Sequence, residues 1–165
     1  MVLGTSVDGS HPDGSCHVTS EDASHSVSVA GVVIDDDGRA LLVQRRDNGH
    51  WEPPGGVLER DETISDGLRR EVYEETGLTV EAIALTGVYK NMRHGVVALV
   101  FGCRLVSGSL QENPEVTGFR WAARSEVRDL MSEAFAVRVL DAYEHDRAPA
   151  VRDHDGVHLV TAGER

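Results

Sequence analysis

Three glutamates have the spacing most suggestive of chemistry. Glu71, Glu74 and Glu75 stand at i, i+3 and i+4, and on a helix such positions share one face. Like charges so placed repel, each pair by a few tenths of a kcal/mol, roughly what an opposite pair contributes. A purely structural helix gains nothing from that arrangement. A hard divalent cation turns the repulsion into ligation, because carboxylate oxygens are what Mg²⁺ and Mn²⁺ take. The stretch 55–78 (GGVLERDETISDGLRREVYEETGL) then reads as a face held against a phosphate substrate.

The elements that must position this face follow from local pattern. Thr63 is the predicted N-cap of a helix running to Thr76, with Gly77 as its stop. Ile64, Leu68 and Val72 fall at i, i+4 and i+8, the predicted buried stripe. Gly67 inside the helix costs about 1 kcal/mol relative to alanine. Upstream, residues 27–34 (VSVAGVVI) and 39–46 (RALLVQRR) read as strands around an Asp-Gly hairpin turn at 35–38. Residues 51–54 (WEPP) are extended, because two prolines exclude a helix. Downstream come strands at 79–90 and 95–106, joined by a loop at 91–94. A further strand covers 117–122. Ser125 is the expected cap of a short helix. Ser132 caps a longer one with Phe135, Val139, Ala142 and Tyr143 on one side. Residues 151–152 and 157–160 flank a closing hairpin. This order predicts an α/β fold in which a mixed sheet is sandwiched between helices.

Bulk properties narrow the function classes. The chain has 165 residues and a formal net charge of −12, which argues against a general grip on nucleic acid, since that needs a basic face. Metal ions can still reverse the charge locally for a phosphorylated small molecule. Two cysteines, Cys16 and Cys103, make no disulfide framework, and Cys103 is expected to be buried. With no long apolar run and no signal segment, the expectation is no membrane partner and a cytoplasmic location. Residues 1–25, rich in Gly, Ser, Asp and His, read as a flexible tail. Residues 26–148 form the predicted domain and 149–165 a C-terminal hairpin or tail.

Gly56, Glu62, Arg70, Glu71, Val72, Glu74, Glu75, Gly77 and Leu78 fill every fixed position of G-x5-E-x7-R-E-U-x-E-E-x-G-U, with U aliphatic. That pattern is the Nudix box, and residues 26–145 resemble the MutT-like members of the Nudix hydrolase family. The resemblance implies an α/β/α sandwich and hydrolysis of a nucleoside diphosphate linked to another moiety, with Mg²⁺ or Mn²⁺ as cofactor. It implies Glu71, Glu74, Glu75 and the carbonyl of Gly55 as metal ligands. Arg70 and Glu62 would support the box, Arg70 through fork-shaped hydrogen bonds to carboxylates. Metal ions would neutralise the crowded phosphate oxygens and activate the attacking water, and a base is needed near it. Glu115 lies six residues before Trp121, a spacing shared with the family, and is the favoured base or extra ligand. Glu112 comes second, and both could instead be surface charges.

Outside the box, Arg45 or Arg46 resembles a phosphate-contacting arginine, with a plain strand end as the alternative. Trp51 and Tyr89 could stack a base or ribose, or belong to the core. Asn91 and His94 lie in a loop near the expected substrate entrance. Markers of the ADP-ribose, dinucleoside polyphosphate, coenzyme A and NADH subfamilies are missing. The default substrate is therefore a nucleoside triphosphate, ordinary or modified. ADP-ribose, a nucleotide sugar, and a non-catalytic nucleotide sensor are the alternatives. A homodimer is an expectation carried by the resemblance alone.

Overall fold

The computed structural model describes residues 24–161. Most of the stretch read as an N-terminal tail, Cys16, and the last four residues lie outside that range.

Apolar, β-branched segments build two sheets. The larger has six strands in the order β4-β1-β6-β5-β8-β9: β4 (Gly55–Val57), β1 (Ser26–Val33), β6 (Val96–Gly108), β5 (Leu78–Asn91), β8 (Ala150–His154) and β9 (Leu159–Val160). It is mixed: β1–β6 and β5–β8 run parallel, while β1–β4, β5–β6 and β8–β9 run antiparallel. The smaller sheet is antiparallel, with β2 (Arg39–Arg45) between β3 (Trp51–Glu52) and β7 (Val116–Ala123). Alternation along each strand feeds a core on either side. In β1, Val29 and Val33 join Leu68 and Val72 of α1 (Ile64–Thr76), while Ala30 and Val32 join Ala136 and Val139 of α3 (Glu133–Ala142). The result is the expected α/β/α sandwich, with the short α2 (Val127–Leu130) beside α3.

Three expectations need correction. The 35–38 turn exists, with Gly38 N–H bonded to Asp35 O at 2.9 Å. Yet β1 and β2 share only the bridge Ile34–Ala40. Each strand finds longer partners elsewhere, so the turn joins two sheets rather than the arms of one hairpin. Second, Ser125 does not cap α2. Its N-terminal position is Glu126, whose carboxylate instead accepts from Ala123 N at 2.8 Å. Third, Ile64 is 43% exposed, whereas Leu68 and Val72 are fully buried. Ile64 is the first residue of the helix, at its exposed end. Leu68 and Val72 then anchor α1 to the sheet, each by about 1.5–3 kcal/mol. The closing hairpin forms as expected, and β8 also pairs with β5 over 87–91, extending the main sheet.

The ends of α1 behave as read. Thr63 Oγ accepts from Asp66 N at 3.1 Å. Gly77 takes φ +77°, and its N–H reaches Tyr73 O at 2.7 Å, a left-handed cap that a side chain would strain. The glycine at 67 has a packing reason. A Cβ there would stand 2.5 Å from Leu58 Cδ1 and 2.6 Å from Glu62 Oε1. The small residue lets the preceding loop lie flat on the helix.

Candidate active site

The helix α1 presents the three glutamates as its periodicity requires, in three different environments. Glu75 is 3% exposed and its Oε2 accepts from Gly55 N at 2.9 Å. Burial pushes its carboxyl up to about 7, against the Gly55 hydrogen bond and Arg45, with Glu71 and Glu115 adding to the rise. Glu71 is also raised by burial, opposed by Arg70 and reinforced by Glu74 and Glu115. Its carboxylate presses on the backbone of β4. A Cβ at Gly56 would stand 2.3 Å from Glu71 Oε2, so only glycine allows the approach. Glu74 faces solvent.

Arg70 gathers the box. Its Nε and Nη2 grip Glu62 Oε2 and Oε1 at 2.9 and 2.6 Å, and Nη2 also reaches Val57 O at 3.2 Å. Its Nη1 takes Glu71 Oε1 at 2.9 Å and Glu74 Oε2 at 3.1 Å. Glu62 in turn accepts from Glu59 N at 2.8 Å. The Arg70 guanidinium holds its carboxyl down at about 2. One guanidinium thus ties the loop, the helix and β4 together, a task suited to its planar fork.

This clamp leaves one oxygen on each glutamate without a hydrogen bond among the described residues: Glu71 Oε2, Glu74 Oε1 and Glu75 Oε1. No three acidic, histidine or cysteine side chains are already drawn around a single point among the described residues, as Arg70 holds two of the three carboxylates to its side. The donor set is hard oxygen throughout. Glu75 is buried and Glu71 half-buried, both with raised proton affinity, and Glu75 forms no ion pair among the described residues. Those features fit a divalent cation of the Mg²⁺ or Mn²⁺ type.

The outer residues divide. Glu115, on the loop before β7, is exposed and is among the charges that raise both Glu71 and Glu75. Glu112 instead lines a separate cleft with Arg46 and Pro114. Asn113 ties this loop to the helix. Its Nδ2 donates to Glu75 O at 2.7 Å, and its Oδ1 accepts from Glu115 N and Val116 N at 2.9 and 3.0 Å.

Arg45 and Arg46 part company, because β2 ends at Arg45 and Arg46 opens the following turn. Arg45 is paired with Asp47 at 2.8 Å and lines a cavity of about 460 Å³ with Gly55, Gly56, Glu52 and Arg138. Asn91 and His94 line it too. Arg46 does not face this cavity. Its Nε donates to Pro114 O at 2.7 Å and its Nη2 to Val116 O at 3.1 Å, while its N–H meets Glu115 O at 2.8 Å. The phosphate reading of Arg46 is therefore replaced by a grip on the backbone around Glu115.

Of the two aromatic candidates, Tyr89 is corrected. Tyr89 is fully buried and its hydroxyl donates to Asp141 Oδ2 at 2.7 Å, so it cannot stack on a ligand. Trp51 packs against the core and lines a different, smaller cavity with Leu130 and Phe135. A larger open cleft of about 820 Å³ lies by the 35–38 turn and α3, and it contains no box residue. Its Arg124 and Arg147 are paired with Glu144.

Sequence reasoning missed Glu52, Asn113 and Arg138. Arg138 alone left a legible signal: a charged residue at i, i+3 among Phe135, Val139 and Ala142, on the face the helix buries.

The NUDIX domain family model matches residues 24–143. The chain belongs to the Nudix family. It is a Nudix hydrolase, similar over most of its length to a MutT-like protein of Streptomyces ambofaciens. The two are 54% identical over 139 residues, covering 84% of this chain and 90% of the relative. An ADP-ribose pyrophosphatase of Methanocaldococcus jannaschii is 36% identical over 93 residues, 52% of this chain and 54% of that protein. Among solved structures, an ADP-ribose pyrophosphatase of Streptococcus suis superposes with a TM-score of 0.67 at 25% identity. That match covers 79% of this chain and all of the other. No helix among the described residues is long and apolar enough to cross a membrane.

Proposed function

We propose that this Nudix hydrolase cleaves the pyrophosphate bond of a nucleoside triphosphate, ordinary or modified, with Mg²⁺ or Mn²⁺ held by Glu71, Glu74, Glu75 and the carbonyl of Gly55. The observation that carries the reading is the buried Glu75 on the helix face behind Gly55, its proton affinity raised by burial first, with Glu71 and Glu115 adding to the rise. A purely structural core would not keep such a carboxylate. A bound divalent ion supplies neutralisation of phosphate charge and acidification of a water.

The chain's own residues do the rest. Arg70 and Glu62 fix the helix against the 57–62 loop, so that the free oxygens of Glu71 and Glu74 keep their places. Arg45 lends positive charge to the cavity wall where phosphate enters. The Glu115 carboxylate receives the proton as the water oxygen bonds to phosphorus and the bridging P–O bond breaks, giving two phosphorylated products. Arg46 and Asn113 hold the backbone on either side of that glutamate. A second reading, cleavage of ADP-ribose, is favoured by the names of the Methanocaldococcus and Streptococcus relatives.

The test is a panel of nucleoside triphosphates, ADP-ribose and nucleotide sugars with Mg²⁺ or Mn²⁺. Glu74→Gln and Glu75→Gln should abolish turnover while circular dichroism and the urea midpoint stay native. Full activity in both variants, or activity indifferent to EDTA, would sink the mechanism.

A further inference from the structure

Arg138 lies within α3 with 8% of its surface exposed, and no carboxylate forms an ion pair with it among the described residues. Its one polar contact runs from Nη2 to His154 Nε2 at 3.0 Å. Its Nε is buried with no partner. Even the one contact is contested. Burial, then the charge of Arg138, hold His154 down at about 4, so its imidazole is neutral at pH 7. A neutral imidazole has one acceptor nitrogen, and Gly156 N–H already points at Nδ1 from 3.0 Å. One lone pair thus faces two donors. A guanidinium with five N–H groups is left with at most one acceptor. The Phe135 and Tyr89 rings, 4.4 and 5.5 Å from its Cζ, compensate the charge in part. They do not satisfy its donors.

The same side chain lines the cavity that opens on Gly55 and Gly56. Glu52 lines it too; burial raises its carboxyl, opposed by the charge of Arg45 and then of Arg138, and it forms no ion pair with Arg138 among the described residues. Phosphates belong beside Gly55 and Gly56, so the group attached to them meets the remaining wall, to which Glu52 and Arg138 both contribute. A phosphate there would meet Glu52 as a like charge. A planar group with an acceptor beside a donor suits both walls, since a guanidinium asks for the one and a carboxylate for the other.

We propose that Arg138 is a specificity-determining residue that donates to the exocyclic oxo group of a nucleobase, with Glu52 accepting from the ring N–H beside it. The base class is lactam-bearing, as in guanine, hypoxanthine or uracil. Adenine would present an amino group where the oxo group is needed, setting donor against donor. The inference rests on the nucleotide reading of the same cavity.

The test uses the full chain with Mg²⁺ and the α,β-methylene analogues of GTP and ATP, measured by titration calorimetry. Initial rates with GTP and ATP accompany it. The wild type should bind the guanosine analogue tenfold or more tighter, the size of discrimination a good arginine–acceptor pair gives. Arg138→Met should bring the two analogues within about twofold by weakening only the guanosine one. In rates, KM for GTP should rise while kcat stays within about threefold. Arg138→Lys keeps the charge but loses the fork, and it should give the same loss if the methionine variant does not fold. Equal binding of the two analogues by the wild type overturns the proposal, as does equal weakening of both in a folded variant. Discriminating binding without turnover of any nucleotide would leave it standing and sink the hydrolase reading instead.

Discussion

Replacing His154 by glutamine isolates one proton's effect on stability. The wild-type imidazole is fully buried at the end of β8, facing Arg138 on one side and Gly156 N–H on the other, with Asp153 and Asp155 as flanking carboxylates. Burial and the neighbouring guanidinium lower its pKa from the ordinary 6.5 to about 4. Above pH 6.5 the ring is neutral in both folded and unfolded chains, so it contributes no pH dependence. Between 6.5 and 4 the unfolded ring takes a proton that the folded one refuses, and stability falls by about 1.4 kcal/mol per pH unit. Below 4 both forms are protonated and the loss is complete, about 3 kcal/mol in all. Local relaxation around the ring brings the observable figure to about 2–3 kcal/mol. Glutamine carries no titrating group, yet its amide oxygen can still accept from Arg138. Urea unfolding of both proteins at pH 7.5 and 4.5 measures the effect, and the difference between them cancels the titration of the shared carboxylates. The wild type should lose about 2–3 kcal/mol more than the variant on acidification. Parallel pH profiles, agreeing within about 0.5 kcal/mol, would show that the ring is not held neutral against Arg138.

Two further outcomes follow from the box and its loop. Arg70→Lys keeps a positive charge but cannot bridge both oxygens of Glu62 and the side chains of Glu71 and Glu74. With these groups only partly exposed, the urea-derived stability should fall by about 2 kcal/mol, between the values for surface and buried pairs. Its kcat/KM should drop tenfold or more, and an unchanged value would remove Arg70 from the positioning role. Arg46→Gln releases the carbonyls of Pro114 and Val116, so kcat should fall about tenfold while KM and the urea midpoint barely move. A rise in KM alone would restore the phosphate-contact reading of Arg46.

The sequence by itself determined the parts whose physics is local. Helical periodicity put Glu71, Glu74 and Glu75 on one face, and Thr63 and Gly77 marked the ends of α1, because capping depends on a few consecutive residues. Fixed offsets also sufficed to place the chain in its family. β-branched runs announced most of the strands, but not which strands pair: the Asp-Gly turn reads as a hairpin, while β1 and β2 entered different sheets. Side-chain fate across a distance was equally out of reach. Tyr89 and Trp51 were legible only as aromatics until packing set one in the core and turned the other toward a second cavity. Arg45 and Arg46 are neighbours of identical chemistry, and the end of β2 between them left one at the box cavity and sent the other to a loop some 70 residues away in the chain. The glutamate face that marks the box is thus written in a few helical turns. Its surroundings, the buried environment of Glu75, the Asn113 tether and the under-satisfied guanidinium of Arg138, exist only once α1, β4, α3 and β8 come together. Desolvation and hydrogen-bond pairing depend on which surfaces meet, and the tertiary structure alone decides that.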